Sequence, residues 1–316
     1  MSNQSIQVAV VQASPVIFDL EKTLQKTISL IHQCKSLGAK LILFPESFIP
    51  AYPRGLSFGA VVGSRSEEGR QLFQRYSDSS VVVPGKATRL IGDAAKAAGA
   101  FVALGVTERD TISGTLYCTL LYFSPEGKLL GKHRKLKPTG TERVIWGEGD
   151  GSTLVTYDTG KAKIGGLICW ENLMPEARMA MYRKGVEIYL APTADARESW
   201  QGSMKHIAIE GRCFVLSCNQ FVQKSDYPDE LLPLLSDQPE VMSAGGSVII
   251  SPMGEVLAGP VRNTEEIISA RLDLSMITRA KMDFDVVGHY ARPDVFRLEV
   301  KDQPDMVEGW NAGIVE

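Results

Sequence analysis

The chain has 316 residues, 44% of them hydrophobic, and a net charge of −3. That is ample for a large core, and with no dense basic run it gives no reason to expect a nucleic-acid partner. The opening Met1-Ser2-Asn3-Gln4-Ser5 carries no basic stretch and the apolar run after it is only strand length, so neither a signal peptide nor a membrane anchor is expected.

Residues 6–11 alternate as a strand. Leu20, Leu24, Ile28 and Ile31 follow near helical spacing up to Gly38, and 40–44 is a continuous apolar strand ending at Pro45-Glu46. This β-α-β order favours strands buried under helices. Residues 47–85 are punctuated by Pro50, Pro53, Gly55, Gly59, Gly63 and Pro84, and read as a long excursion with one short helix near 67–77. Such an excursion is a lid, an interface or a plain surface insertion. A helix at 86–98 ends at Gly99. A strand at 101–106 precedes a hairpin, 115–123 with 128–135, turning at Ser124-Pro125-Glu126-Gly127; residues 136–152 form a polar loop.

The order then repeats. A strand at 163–168 runs into Cys169, followed by a helix at 175–184, a strand at 186–191, a helix at 199–211 and a strand at 213–218. A polar loop at 223–242 leads to a second hairpin, 246–250 with 255–258, turning at Ser251-Pro252-Met253-Gly254. A strand at 267–272 and a helix at 275–282 close the core. Phe101-Val102 is echoed by Phe214-Val215, and each hairpin turn by the other. Two α-β-β layers packed sheet to sheet follow, a four-layer α-β-β-α sandwich of the α/β class with two pseudo-symmetric halves. Each half alone would leave a sheet face bare, so residues 1–298 are expected to form one domain, with 299–316 as a C-terminal tail.

Cys34, Cys118, Cys169, Cys213 and Cys218 show no paired spacing, which fits free thiols in a reducing, cytoplasmic compartment. Cys213 and Cys218 lack a matching second pair and the four histidines have no zinc spacing, so no metal site is expected. Cys169 stands out because it ends a strand just before Met174-Pro175-Glu176-Ala177 opens a helix, a place where a helix dipole or a nearby cation favours the thiolate. Taken alone, an ordinary buried cysteine is the better explanation until a base and a cation are found. Glu46 and Lys135 end two other strands, and strand ends in layered α/β folds face the ligand crevice. A carboxylate can take the thiol proton and later activate water, while an ammonium can stabilise the negative charge that develops. Glu142, in the polar loop, could orient the lysine. A solvated basic face for Lys135 and a turn role for Glu46 are the plainer alternatives. His133 is a surface histidine or a second neighbour of the site.

The segments Phe44-Pro45-Glu46, His133-Arg134-Lys135-Leu136-Lys137-Pro138-Thr139 and Cys169-Trp170-Glu171-Asn172 resemble the three catalytic signatures of the carbon–nitrogen hydrolase superfamily. Glu142-Arg143, Trp146-Gly147-Glu148-Gly149-Asp150-Gly151 and the Trp170-Glu171 pair resemble its nitrilase branch. Ala51-Tyr52-Pro53-Arg54-Gly55, Ala191-Pro192-Thr193-Ala194-Asp195, His206-Ile207-Ala208-Ile209-Glu210-Gly211 and the stretch from Phe284 to Tyr290 are similar to plant-type nitrilases and their bacterial relatives. The resemblance covers residues 6 to 298. It implies the α-β-β-α fold, a Glu46/Lys135/Cys169 triad with Glu142 beside it, and hydrolysis of a nitrile to a carboxylic acid and ammonia without metal or cofactor. It also implies homo-oligomers, often spiral or helical filaments, for which 47–85, 223–242 and the tail are the candidate contacts. Trp170, Tyr52 and Thr193 are the candidate substrate-binding residues. An amidase of the same superfamily and a non-catalytic assembly protein on this scaffold are the alternatives.

Overall fold

The computed structural model describes residues 5–303. The first part of the chain forms β1 (Ser5–Gln12), α1 (Leu20–Ser36), β2 (Leu41–Leu43), α2 (Glu67–Asp78), α3 (Lys86–Ala98), β3 (Phe101–Arg109), β4 (Leu116–Phe123) and β5 (Leu129–Arg134). The second part forms β6 (Tyr157–Asp158), β7 (Lys163–Gly166), α4 (Pro175–Arg183), β8 (Ile188–Pro192), α5 (Glu198–Gly211) and β9 (Phe214–Cys218). It continues with β10 (Phe221–Gln223), β11 (Val241–Ile250), β12 (Val256–Arg262), β13 (Glu266–Asp273) and α6 (Ser275–Lys281). The helices begin and end where local chemistry requires. Asp19 accepts a hydrogen bond from Lys22 N at 2.9 Å at the head of α1, and Gly99 ends α3 with φ +62°.

The strands fall into two sheets with the same plan. In the first, β1, β2 and β3 run parallel, β4 and β5 continue antiparallel, and β13 flanks β1 antiparallel. In the second, β7, β8 and β9 run parallel, β11 and β12 continue antiparallel, and β6 flanks β7 antiparallel. The expected repeat is therefore present, with one exchange that the sequence does not announce: β13, near the end of the chain, completes the sheet that contains β1.

Period-two alternation sorts each strand into two of three cores. Val8 and Val10 of β1, with Leu41, Leu43, Leu120 and Tyr122, face Ile164, Ile188, Leu190, Phe214 and Leu216 of the other sheet. Ala9 and Val11 point the other way, onto α1 and α3 through Leu24, Ile31, Ile91 and Ala95. Tyr189, Ala191 and Val215 pack on α4 and α5 through Met181, Trp200 and Met204. Three cores separate four layers, which is the α-β-β-α sandwich.

The hairpin turns repeat in detail. Gly127 N donates to Ser124 O and Gly254 N to Ser251 O, both at 2.9 Å, and the two glycines have φ +87° and +83°. The excursion 47–85 contributes Phe48, Ile49, Ala51, Phe58 and Tyr76 to the interior and is not a surface insertion. The loop 223–242 likewise buries Tyr227, Leu231 and Leu235. Leu298 and Val300 pack on the outer core of the second sheet, so the start of the expected tail is docked; residues 304–316 lie outside the described residues.

One glycine admits the chain to the site. A Cβ on Gly105 of β3 would lie 2.1 Å from Pro45 O and 2.7 Å from Glu46 Cα. Gly105→Ala is expected to destabilise the fold by about 1–3 kcal/mol through this overlap. Gly202→Ala on the exposed side of α5, where a new Cβ meets nothing within 4 Å, is expected to stabilise by about 0.5–1 kcal/mol. Denaturant melts of the two variants check the opposite signs, and coincident midpoints would contradict the packing at Gly105.

Candidate active site

Three strand ends converge between the sheets. After β2 the chain crosses Gly105, and Phe48 N donates to Gly105 O at 2.8 Å. Gln220 Nε2 donates to Glu46 O at 2.8 Å and holds the backbone of that crossing. Lys135 continues β5 with its N donating to Cys118 O at 2.8 Å. Alternation turns His133 and Lys135 inward together and leaves Arg134 to pair with Glu108 on the other face.

Lys135 Nζ lies 2.7 Å from Glu46 Oε1 and 2.7 Å from Glu142 Oε2, and the side chains of Lys135 and Glu46 are 0% exposed. Cys118 Sγ donates to Glu46 Oε1 at 3.4 Å, whereas Glu46 Oε2 is buried with no hydrogen-bond partner among the described residues. Glu142 sits in the short turn Gly140–Val144 and also accepts from Thr139 N at 2.6 Å and Tyr52 OH at 2.7 Å. Cys169 opens the turn Cys169–Leu173 with φ +51°, a strained left-handed value for a side chain-bearing residue. Asn172 Nδ2 braces that turn by donating to Leu167 O and Cys169 O at 2.9 and 2.8 Å. Thr193, just past β8, donates its hydroxyl to Cys169 Sγ at 3.3 Å.

The electrostatics assign the resting protons. Burial raises the Glu46 carboxyl above the usual carboxylate range, while the Lys135 charge pulls it back and Glu142 pushes it up. Burial, the largest single influence, would lower Lys135, but the charges of Glu46, Cys169, Cys118 and Glu142 together outweigh it, and the lysine stays protonated. Glu46 is thus the group of the pair that changes charge. Burial, then the Glu46 charge, push the Cys169 thiol up to about 12, against the opposing pull of Lys135, the Thr193 hydroxyl and the Ala194 N–H. α4 begins only at Pro175, six residues past the sulfur, and burial favours the protonated thiol from which a carboxylate can take the proton.

The remaining candidates divide. Tyr52 and Glu142 line a cleft of about 450 Å³ together with Arg54, Leu56, Phe58 and Ile145. Trp170 does not line that cleft. It is 38% exposed, donates Nε1–H to Asp195 Oδ2 at 2.9 Å and lies under Arg197, 4.9 Å from the guanidinium carbon. Thr193 reaches the sulfur itself. The sequence reading gave Cys118 no role at the site and named Glu171 and Asn172 only within a signature; His133 and Glu171 are both 1% exposed, so His133 is not a surface histidine. For His133 the signal was available, because it stands two residues before Lys135 on the same face of a strand.

Residues 7–282 match the family described as carbon–nitrogen hydrolase. An aliphatic nitrilase of Sinorhizobium fredii (strain HH103) is 52% identical over 297 residues, 94% of this chain and 96% of that one. A bifunctional nitrilase/nitrile hydratase of Nicotiana tabacum is 52% identical over 307 residues, 95% of this chain and 87% of the relative. Nitrilase 1 of Arabidopsis thaliana is 50% identical over 306 residues, 95% and 88% of the two chains. The solved structure of Saccharomyces cerevisiae Nit3, a member of branch 10 of the nitrilase superfamily, shares the fold with a TM-score of 0.71 at 24% identity, over 92% of this chain and 97% of that one.

A thiol titrating near 12 is neutral below that pH. With no other ligand present, alkylation of Cys169 by iodoacetamide, scored against Cys169→Ala, is expected to climb about tenfold per pH unit above neutrality. A rate already level across neutral pH would mean a resting thiolate and contradict this assignment.

Proposed function

This chain belongs to the carbon–nitrogen hydrolase family, and on that premise we propose that it is a nitrilase worked by Cys169, Glu46, Lys135 and Glu142. It hydrolyses an organic nitrile to the carboxylic acid and ammonia. The observation that carries the residue assignment is the fully buried ammonium of Lys135, held 2.7 Å from both carboxylates at the strand ends that meet beside Cys169.

Glu46, with one oxygen unpartnered and its pKa raised, is the base. It takes the Sγ proton as sulfur bonds to the nitrile carbon. The displaced π pair goes to nitrogen, which receives that proton, and a thioimidate results. Water, deprotonated by Glu46, adds to the thioimidate carbon. Nitrogen takes that proton, the hydroxyl proton of the tetrahedral species then passes by way of Glu46 to nitrogen as C=O forms, and ammonia leaves a thioester; a second water releases the acid and restores the thiol. Lys135 and backbone N–H groups near Trp170 hold the charge of the tetrahedral species. Departure of sulfur in place of ammonia gives the amide, a branch that the bifunctional nitrilase/nitrile hydratase relatives support. Glu142 fixes the lysine and couples it to Tyr52 at the cleft, where Tyr52 and Thr193 contact the substrate and Trp170 shapes its entry.

Residues 1–298 act as one catalytic unit in this reading, supported by the pairing of β13 with β1. The chain works as a homo-oligomer, supported by the family resemblance alone. A reducing, cytoplasmic location is supported by five buried free cysteines, and among the described residues no helix is long and apolar enough to cross a membrane.

A matched nitrile and amide, assayed side by side for ammonia release, separate this reading from an amidase; fast amide turnover with none of the nitrile overturns it. Cys169→Ala and Glu46→Gln are each expected to lower nitrile turnover by about 10⁴-fold or more, and an unchanged rate in either would remove that residue from its role.

A further inference from the structure

We propose that Glu171, steadied by His133, is a positioning residue that holds the strand end carrying Lys135 against the turn carrying Cys169. The inference rests on the roles assigned to those two residues above.

Glu171 lies two residues after the nucleophile, and its side chain is 0% exposed. Its oxygens are divided between the two halves of the site. Oε1 accepts from Leu136 N at 2.6 Å, the residue after Lys135. Oε2 accepts from Ile168 N at 2.6 Å, the residue before Cys169. Among the described residues, every hydrogen bond joining residues 133–137 to residues 167–172 ends on Glu171. The two segments belong to different sheets, so no ladder sets their separation. One carboxylate therefore fixes how far the ammonium stands from the sulfur.

His133 fixes the carboxylate in turn. Its Nδ1 lies 3.2 Å from Thr153 Oγ1, whose hydroxyl can donate to it, so the ring proton is placed on Nε2, against a carboxylate that can only accept. Its Nε2 lies 3.1 Å from both oxygens of Glu171. The ring spans the gap from the Thr153 loop to the carboxylate and holds Glu171 in the one rotamer that reaches both backbone N–H groups. Charge-assisted bonds of this length offset the cost of burying a carboxylate.

Glu171→Gln keeps the shape and one acceptor but sets an amide N–H against one of the two backbone donors, releasing one anchor. A small misplacement of reacting groups is enough to cost about 100-fold. Glu171→Gln is therefore expected to lower kcat on a nitrile by about 100-fold, with KM within about threefold and a melting temperature near that of the parent protein. His133→Gln leaves both backbone bonds in place and is expected to lower kcat by about tenfold, again with little change in KM. Parent kcat in Glu171→Gln, or a loss that only follows the unfolded fraction, overturns the proposal. If Glu171→Gln does not fold, His133→Gln decides, and a parent kcat there overturns it. Cys169→Ala is the control: activity in that variant sinks the site assignment itself, whereas an inactive Cys169→Ala beside a fully active Glu171→Gln sinks only the positioning role.

Discussion

A buried ammonium between two carboxylates constrains everything around it. Removing Lys135 and Glu46 from water costs several kcal/mol per ion, and the cost is recovered only if both are paired at short range. Each must therefore be delivered by a rigid element to within hydrogen-bond distance. β5 carries Lys135, the crossing over Gly105 carries Glu46, and the short turn at 140–144 carries Glu142. The same arrangement sets the chemistry. Two carboxylates keep the lysine charged, burial keeps the thiol protonated, and Glu46 is left as the group that trades a proton.

Most of the architecture was legible because it rests on signals local to the chain. Alternation marked β1, an apolar run marked β2, the turn at 124–127 marked the hairpin of β4 and β5, and Gly38 and Gly99 marked the ends of α1 and α3. The echoed hairpins marked the repeat, and their turns match bond for bond because Ser-Pro-x-Gly places glycine where φ must be positive. Glu46, Lys135 and Cys169 were legible as strand ends. The features that were hidden depend on distant pairings. β13 reads as one more strand of the second half and only its register with β1 shows otherwise. The two-residue β6 carries no periodicity at all. How strongly burial raises the Cys169 thiol was not legible, because depth of burial is a tertiary fact.

The excursion 47–85 and the loop 223–242 also took their meaning from one another. Tyr227 OH donates to Arg54 O at 2.9 Å, and a Cβ on Gly55 would lie 2.8 Å from Leu235 Cδ2. Each segment is irregular alone, and together they wall the cleft that reaches Tyr52 and Glu142. Such segments are opaque to pattern reading because their burial comes from mutual contact and not from an internal period.

The pairing of β1 with β13 bears on how the protein is made. Ser5 lies opposite Asp273 and Gln12 opposite Glu266, so one flank of β1 has no neighbour until about 250 further residues have emerged. At usual translation speeds that interval is on the order of tens of seconds. During it an apolar strand carries an unpaired edge, the kind of surface that recruits other chains. A chain stopped short of residue 266 leaves that edge of β1 open for good.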